Sequence, residues 1–147
     1  MIFEYLLLLI AAVLFVLLIL CVINLVTIQT LTATKEIKNI GKVSVLIPAR
    51  DEELNITNCL NSVLNQSYTD LEIMVLDDGS TDNTPELLKS FTDTRLRIIN
   101  GIPLEQGWVG KNFACHQLQK SATGSYLLFI DADTVLHKSC VASAVKF

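Results

Sequence analysis

Ile73-Met74-Val75-Leu76-Asp77-Asp78-Gly79-Ser80-Thr81-Asp82 passes within ten residues from an apolar run to a cluster of carboxylates and turn formers. The same transition recurs at Tyr126-Leu127-Leu128-Phe129-Ile130-Asp131-Ala132-Asp133. Short apolar runs bounded by turn residues predict buried strands. In open α/β sheets, ligands sit beyond the carboxyl ends of the strands. Both acidic clusters therefore fall where such a sheet holds a ligand. Carboxylates gathered in one place repel, so they normally face a cation or hydrogen-bond donors.

Outward from these two runs the chain alternates. Val43 to Pro48 predicts a first strand, and Asp51 to Leu64 a helix with Asp51, Glu52 and Glu53 in its first turn, favourable to the helix dipole. Residues 65–70 form a turn and Leu71 to Leu76 the second strand. Thr84 and Pro85 read as N-cap and first helical residue of a short helix running to about Phe91. Leu96 to Ile99 is a third strand, Lys111 to Ser121 a helix, Tyr126 to Ile130 a fourth strand, and residues 137–147 the start of another helix. This order predicts an α/β fold, a Rossmann-like parallel sheet with right-handed crossovers.

Ahead of this domain, Tyr5 to Ile23 is an unbroken apolar stretch of nineteen residues. At about 1.5 Å per residue it reaches about 28 Å, one hydrocarbon core. It lacks the basic n-region, short apolar core and cleavage site of a signal peptide. Residues 1–28 thus read as a transmembrane anchor, 29–42 as a linker and 43–147 as the α/β domain. Lys35, Lys38 and Lys42 follow the anchor and no basic residue precedes it, so the positive-inside rule puts the domain in the cytoplasm of a single-pass membrane protein. Beyond the anchor, eleven basic residues face fourteen acidic ones, a balance of −3 that gives nucleic-acid binding no support. Cys21, Cys59, Cys115 and Cys140 are too dispersed for a zinc pattern and read as reduced, structural thiols. Cys115 and His116 are adjacent, and adjacent side chains on a helix diverge.

Each candidate site has a bland counterpart. Asp-Gly-Ser-Thr-Asp is good turn chemistry and accounts for Gly79 to Asp82 without a ligand, less well for the Asp77-Asp78 pair. Asp131 and Asp133 point the same way on an extended backbone and would converge on a divalent cation; alone, they are also an ordinary acidic strand end. Gly107-Trp108-Val109-Gly110-Lys111-Asn112 opens a helix whose free N–H groups suit an anion, with Lys111 as a point charge, or is a plain loop. It is neither a Walker A loop nor GxGxxG. Arg50 meets phosphate or pairs with Asp51 or Glu53. Trp108 is open between core, sugar-stacking face and interface.

Val43–Glu53, Asp77–Asp82, Gly110-Lys111-Asn112 and Asp131-Ala132-Asp133, in this order and spacing, resemble the family 2 glycosyltransferases of GT-A fold. Within them, Trp108–Cys115 is similar to the carotenoid-acid glycosyltransferases of staphyloxanthin-type pathways. The resemblance implies a nucleotide-sugar donor, UDP-linked, and a lipid or carotenoid-type acceptor. It implies that Asp78 bonds the uracil, that Pro48, Ala49 and Glu52 border the nucleoside, and that Lys111 approaches the base or diphosphate. It makes Asp131 and Asp133 the family's D-x-D, with Asp133 the direct Mg²⁺ or Mn²⁺ ligand, the cation bridging the leaving diphosphate. The family's general base and acceptor elements lie downstream of the D-x-D. No carboxylate follows Asp133 here, so the expectation is a truncated, catalytically incomplete donor half that exposes apolar sheet surface. The competing readings are an inert or merely nucleotide-binding anchored fragment, a receiver-like regulatory domain, and a nucleotidyltransferase.

Overall fold

The computed structural model describes residues 2–27 and 41–146 and divides into two compact units, Met1–Leu31 and Thr32–Phe147. All but the end of the expected linker 29–42 lies outside the described residues. The first unit holds one helix, α1 (Ile2–Thr27). At about 1.5 Å per residue it is about 39 Å long. None of its residues is buried. A helix apolar on every side and covered on none is long and apolar enough to cross a membrane.

The second unit contains β1 (Val43–Ala49), α2 (Ile56–Leu64), β2 (Leu71–Asp77), α3 (Thr84–Lys89), β3 (Leu96–Asn100), α4 (Gly110–Ser121), β4 (Tyr126–Phe129) and α5 (Cys140–Lys146). The four strands form one parallel sheet in the order β3-β2-β1-β4. β1 and β2 lie inside the sheet and are almost wholly buried, which explains their unbroken apolar runs. Alternation along β1 divides the core between two faces. Val43, Val45 and Ile47 pack with Ile56, Leu60 and Val63 of α2, Leu88 of α3 and Val141 of α5. Leu46, with Met74 and Leu76, packs against Ala114 and Leu118 of α4. The chain thus lays strands outward from β1 to β3, then crosses to the other side of β1 for β4. A receiver-like order would set β1 between β2 and β3, so the sheet order disfavours that reading.

Several boundaries differ from expectation, three elements most informatively. α2 begins at Ile56 rather than Asp51, and its first turn holds no acidic residue. Residues 51–53 are instead drawn into hydrogen bonds with the loop after β2, and Asp51 takes a left-handed φ of +54° that an α-helix does not allow. Asn83, not Thr84, is the N-cap of α3, which ends at Lys89. Thr84 is fully buried, its hydroxyl accepting from the Glu52 N–H at 2.8 Å. β4 ends at Phe129, one residue early, and the chain turns at once, the Thr134 N–H donating to the Asp131 carbonyl at 3.0 Å.

The opposite end of the sheet is clamped by Glu72. Its carboxylate accepts from the Thr123 hydroxyl at 2.9 Å, the Gly124 N–H at 3.0 Å and the Ser44 hydroxyl. Partial burial opposes its charge, but these bonds outweigh burial and hold the Glu72 carboxyl below its ordinary value. Among the described residues β4 pairs with β1 alone, and it leaves Tyr126, Leu127 and Phe129 exposed.

Candidate functional site

The topological switch lies between β1 and β4, and a crevice of about 290 Å³ opens there at the carboxyl ends of the strands. β1 contributes Pro48, Ala49 and the following Arg50 and Glu52; the end of β2 contributes Asp78. Gly110, Lys111 and Ala114 come from α4, and Asp131, Ala132 and Asp133 from the turn after β4. All seven residues singled out from sequence therefore meet around one hollow: Pro48, Ala49, Glu52, Asp78, Lys111, Asp131 and Asp133.

The aspartate pair after β2 is split between two tasks. Asp77 is buried and its Oδ1 accepts from the Ser80 N–H at 3.0 Å, closing the turn. Asp78 is held by its own N–H, which donates to the Ala49 carbonyl at 2.9 Å. Its carboxylate lines the crevice and makes no hydrogen bond among the described residues. Gly101 and Gly110 flank it: a Cβ on Gly101 would stand 3.2 Å from Asp78 Oδ1 and 3.1 Å from the Asp77 carbonyl. A larger residue at 101 would displace the carboxylate.

α4 starts beside this carboxylate. Its N-cap is Val109, which offers no side-chain cap, so its first N–H groups remain available to an anion. Lys111 Nζ lies 2.7 Å from Asp131 Oδ1. The hydrogen bond that the ammonium donates to Asp131 raises the Lys111 pKa, so the ammonium is charged throughout the physiological range. Asp133 faces the same hollow and has no hydrogen-bond or ion-pair partner among the described residues. The route by which the two carboxylates converge differs from expectation. Residues 131–134 form a turn, not an extended strand end, so the period-two rule is not what brings them together.

Beneath the floor, the buried Cys59 thiol sits 3.7 Å from the Asp131 carbonyl. Burial, helped by the charges of Asp133 and Glu52, pushes it up to about 11, which leaves it an inert structural thiol. All four cysteines are free. Cys115 and His116 diverge as expected. Cys115 borders a second groove behind the Lys111–Asp131 pair, whereas His116 stacks on Trp108 with ring centroids 4.6 Å apart. Trp108 also meets Phe113 at 5.5 Å and so covers the outer surface of α4 rather than the crevice. Arg50 lines the crevice, with Nε 3.9 Å from Asp51 Oδ2, a long and exposed pairing.

Asp131 and Asp133 suit a small hard cation. Mg²⁺ and Mn²⁺ take oxygen donors, and Mg²⁺ is commonly held by one or two carboxylates together with substrate phosphates. Among the described residues no group of three or more metal-binding side chains is assembled. The donor set therefore fits a cation that brings a diphosphate with it, not one caged by protein alone.

A parallel sheet with acidic residues and a helix N-terminus gathered at its switch point is the arrangement of a GT-A-type fold. Residues 44–147 match the glycosyl transferase family 2 domain, and the chain belongs to that family. It is 31% identical over 105 residues to glycosyltransferase GlyA of Streptococcus pneumoniae, covering 71% of this chain and 15% of that protein. It is 33% identical over 104 residues to 4,4'-diaponeurosporenoate glycosyltransferase of Staphylococcus aureus, covering 70% and 27%. Among solved structures, S. aureus TarS in complex with UDP-GlcNAc superposes with a TM-score of 0.62 at 30% identity, over 71% of this chain and 30% of that one. The mannosyltransferase PcManGT of Pyrobaculum calidifontis, in complex with GDP-Man and Mn²⁺, gives 0.65 at 26%, over 80% and 35%. The chain thus spans less than a third of the length of these curated relatives.

Proposed function

We propose that this chain forms the donor-binding part of a membrane-anchored glycosyltransferase that takes a UDP-sugar and serves a lipid or carotenoid-type acceptor. The observation that carries the reading is the single crevice in which Asp78, Lys111, Asp131 and Asp133 meet at the switch point of the sheet. Asp78, unpartnered and flanked by glycines, accepts from the N–H of the uracil ring, while Pro48, Ala49 and Glu52 wall the nucleoside. The uncapped start of α4 and the Lys111 ammonium meet the diphosphate. Asp133, with Asp131, holds Mg²⁺ or Mn²⁺, which when bound neutralises charge on the leaving diphosphate. The complexes of TarS with UDP-GlcNAc and of PcManGT with GDP-Man and Mn²⁺ support the donor class. The diaponeurosporenoate glycosyltransferases support the acceptor class. α1 supports anchoring in the cell membrane, and the lysines that follow it support a cytoplasmic crevice.

Calorimetric titration of UDP into the full chain in detergent, with and without Mn²⁺, tests this reading. UDP should bind, Mn²⁺ should tighten it, and Asp133→Ala should abolish the tightening while leaving the fold intact. A wild-type chain that ignores UDP, or an Asp133→Ala chain with an unchanged response to Mn²⁺, refutes it.

A further inference from the structure

Two neighbouring loops carry adjacent parts of the crevice wall, the one that follows Ala49 of β1 with Glu52 and the one after β2 with Asp78. Six hydrogen bonds join them outside the crevice. Three successive N–H groups cross in one direction: Asp51 to Ser80 Oγ (2.9 Å), Glu52 to Thr84 Oγ1 (2.8 Å) and Glu53 to Asp82 Oδ2 (3.0 Å). Three donors cross in the other. The Thr81 N–H (2.6 Å) and hydroxyl (3.2 Å) donate to Asp51 Oδ1, and the Asn83 N–H donates to Glu53 Oε2 (3.0 Å).

Asp51 is central to this lattice in two ways. Its φ of +54° makes it the only non-glycine residue with positive φ among those described. A left-handed step is costly for a residue with a Cβ, although Asp and Asn tolerate it best. Such strain persists only where the surroundings over-determine it. Here the step presents successive N–H groups to one side, and the carboxylate of the same residue then takes both donors of Thr81. Asp51 does not line the crevice.

We propose that Asp51 is a positioning residue: beyond the bond from the Asp78 N–H to the Ala49 carbonyl, it cross-ties the two loops and holds Glu52 and Asp78 in place relative to each other before a nucleotide arrives. The proposal rests on the donor-binding reading above and adds the device that pre-organises that site. Without the tie, the binding event itself must order the loops, and affinity falls accordingly.

Three variants of the full chain separate backbone from side chain. Asp51→Asn keeps an oxygen acceptor and a tolerated left-handed backbone. Asp51→Gly keeps the backbone freedom and removes the acceptor. Asp51→Ala loses both. UDP affinity by calorimetry and hydrogen exchange at the Thr81 and Asn83 amides are read together with melting temperature. The expected result is UDP affinity within twofold of wild type for Asp51→Asn and three- to tenfold weaker for Asp51→Gly. Exchange at Thr81 should be faster in the Gly variant alone of that pair, and Asp51→Ala should be the weakest binder. Asp51→Gly with wild-type affinity overturns the positioning role, as does affinity lost with the Thr81 amide still protected. Asp51→Asn as weak as Asp51→Gly also overturns it, because charge rather than the tie would then matter. A wild-type chain that binds no UDP overturns the donor reading, and the positioning role with it.

Discussion

Lys111→Met should move two ligands in opposite directions. The Lys111–Asp131 pair is short, at 2.7 Å, but both side chains are more than half exposed. Exposed pairs contribute about 0–1 kcal/mol, so the substitution should change stability by less than about 1 kcal/mol. Its effect on ligands is larger. A hydrogen bond to a charged partner contributes about 1.5–3 kcal/mol, so loss of the ammonium should weaken UDP, titrated without metal, by roughly 10- to 100-fold. For Mn²⁺ alone the same ammonium is a competitor, already paired with one of the two carboxylates proposed to hold the cation. A single positive charge about 5 Å from a divalent one costs about 1.7 kcal/mol at the dielectric of water, and about half of that at physiological ionic strength. Removing it should tighten Mn²⁺ about fivefold. Calorimetry of UDP and of Mn²⁺ separately, in wild type and variant, measures both. UDP affinity unchanged would mean that Lys111 only balances Asp131. Mn²⁺ affinity unchanged or weaker would mean that Asp131 takes no part in holding the cation.

Two further outcomes concern the frame that carries the crevice. A Cβ on Gly124 would stand 2.5 Å from Ser44 Oγ and 2.8 Å from both the Lys42 carbonyl and the Ser44 N–H. Two of these are backbone atoms that cannot swing aside, so Gly124→Ala should cost about 2–3 kcal/mol and lower the melting temperature by about 10 °C; a shift under about 3 °C would contradict the packing. Asp93 is grasped by Arg95, with Nη2 to Oδ2 at 2.8 Å and Nε to Oδ1 at 3.0 Å. The hydrogen bonds from the Arg95 side chain, then that from its backbone N–H, depress the Asp93 carboxyl to about 2, against an ordinary 3.8. Between these values the unfolded chain binds more protons than the folded one. The contribution of Asp93 is therefore complete above about pH 4 and lost as pH falls toward 2. Asp93→Asn should flatten that part of the acid-unfolding profile and cost about 1 kcal/mol at neutral pH; a profile identical to wild type would refute the assignment.

The strands were legible because β1 and β2 are buried on both faces and so carry unbroken apolar runs, the pattern a parallel sheet imposes. The order of the sheet was not legible: nothing local says that β4 returns to β1 rather than extending beyond β3. It was nevertheless enough to read the acidic residues at strand ends, because any parallel arrangement puts those ends on one side. The convergence of Asp78, Lys111, Asp131 and Asp133 follows from that shared polarity and from α4 beginning on the same side. What local pattern misjudged was the stretch 51–55. Three acidic residues ahead of an apolar period look like a helix start, but acidic residues satisfy backbone N–H groups of any segment that comes near, not only those of their own helix. The partners, Ser80 to Thr84, lie about thirty residues away and enter only through the parallel pairing of β1 with β2. That pairing aligns Ala49 with Asp77, so the two loops leave the sheet side by side and their polar residues face each other. The Asp78 N–H bond to the Ala49 carbonyl continues the ladder one step past the strands. The loop lattice is in this sense a consequence of strand register. A one-residue slip between β1 and β2 would take Val43, Val45 and Ile47 off their packing with α2 and separate Asp51 from Thr81 together, so packing of the core also fixes the geometry of the crevice wall.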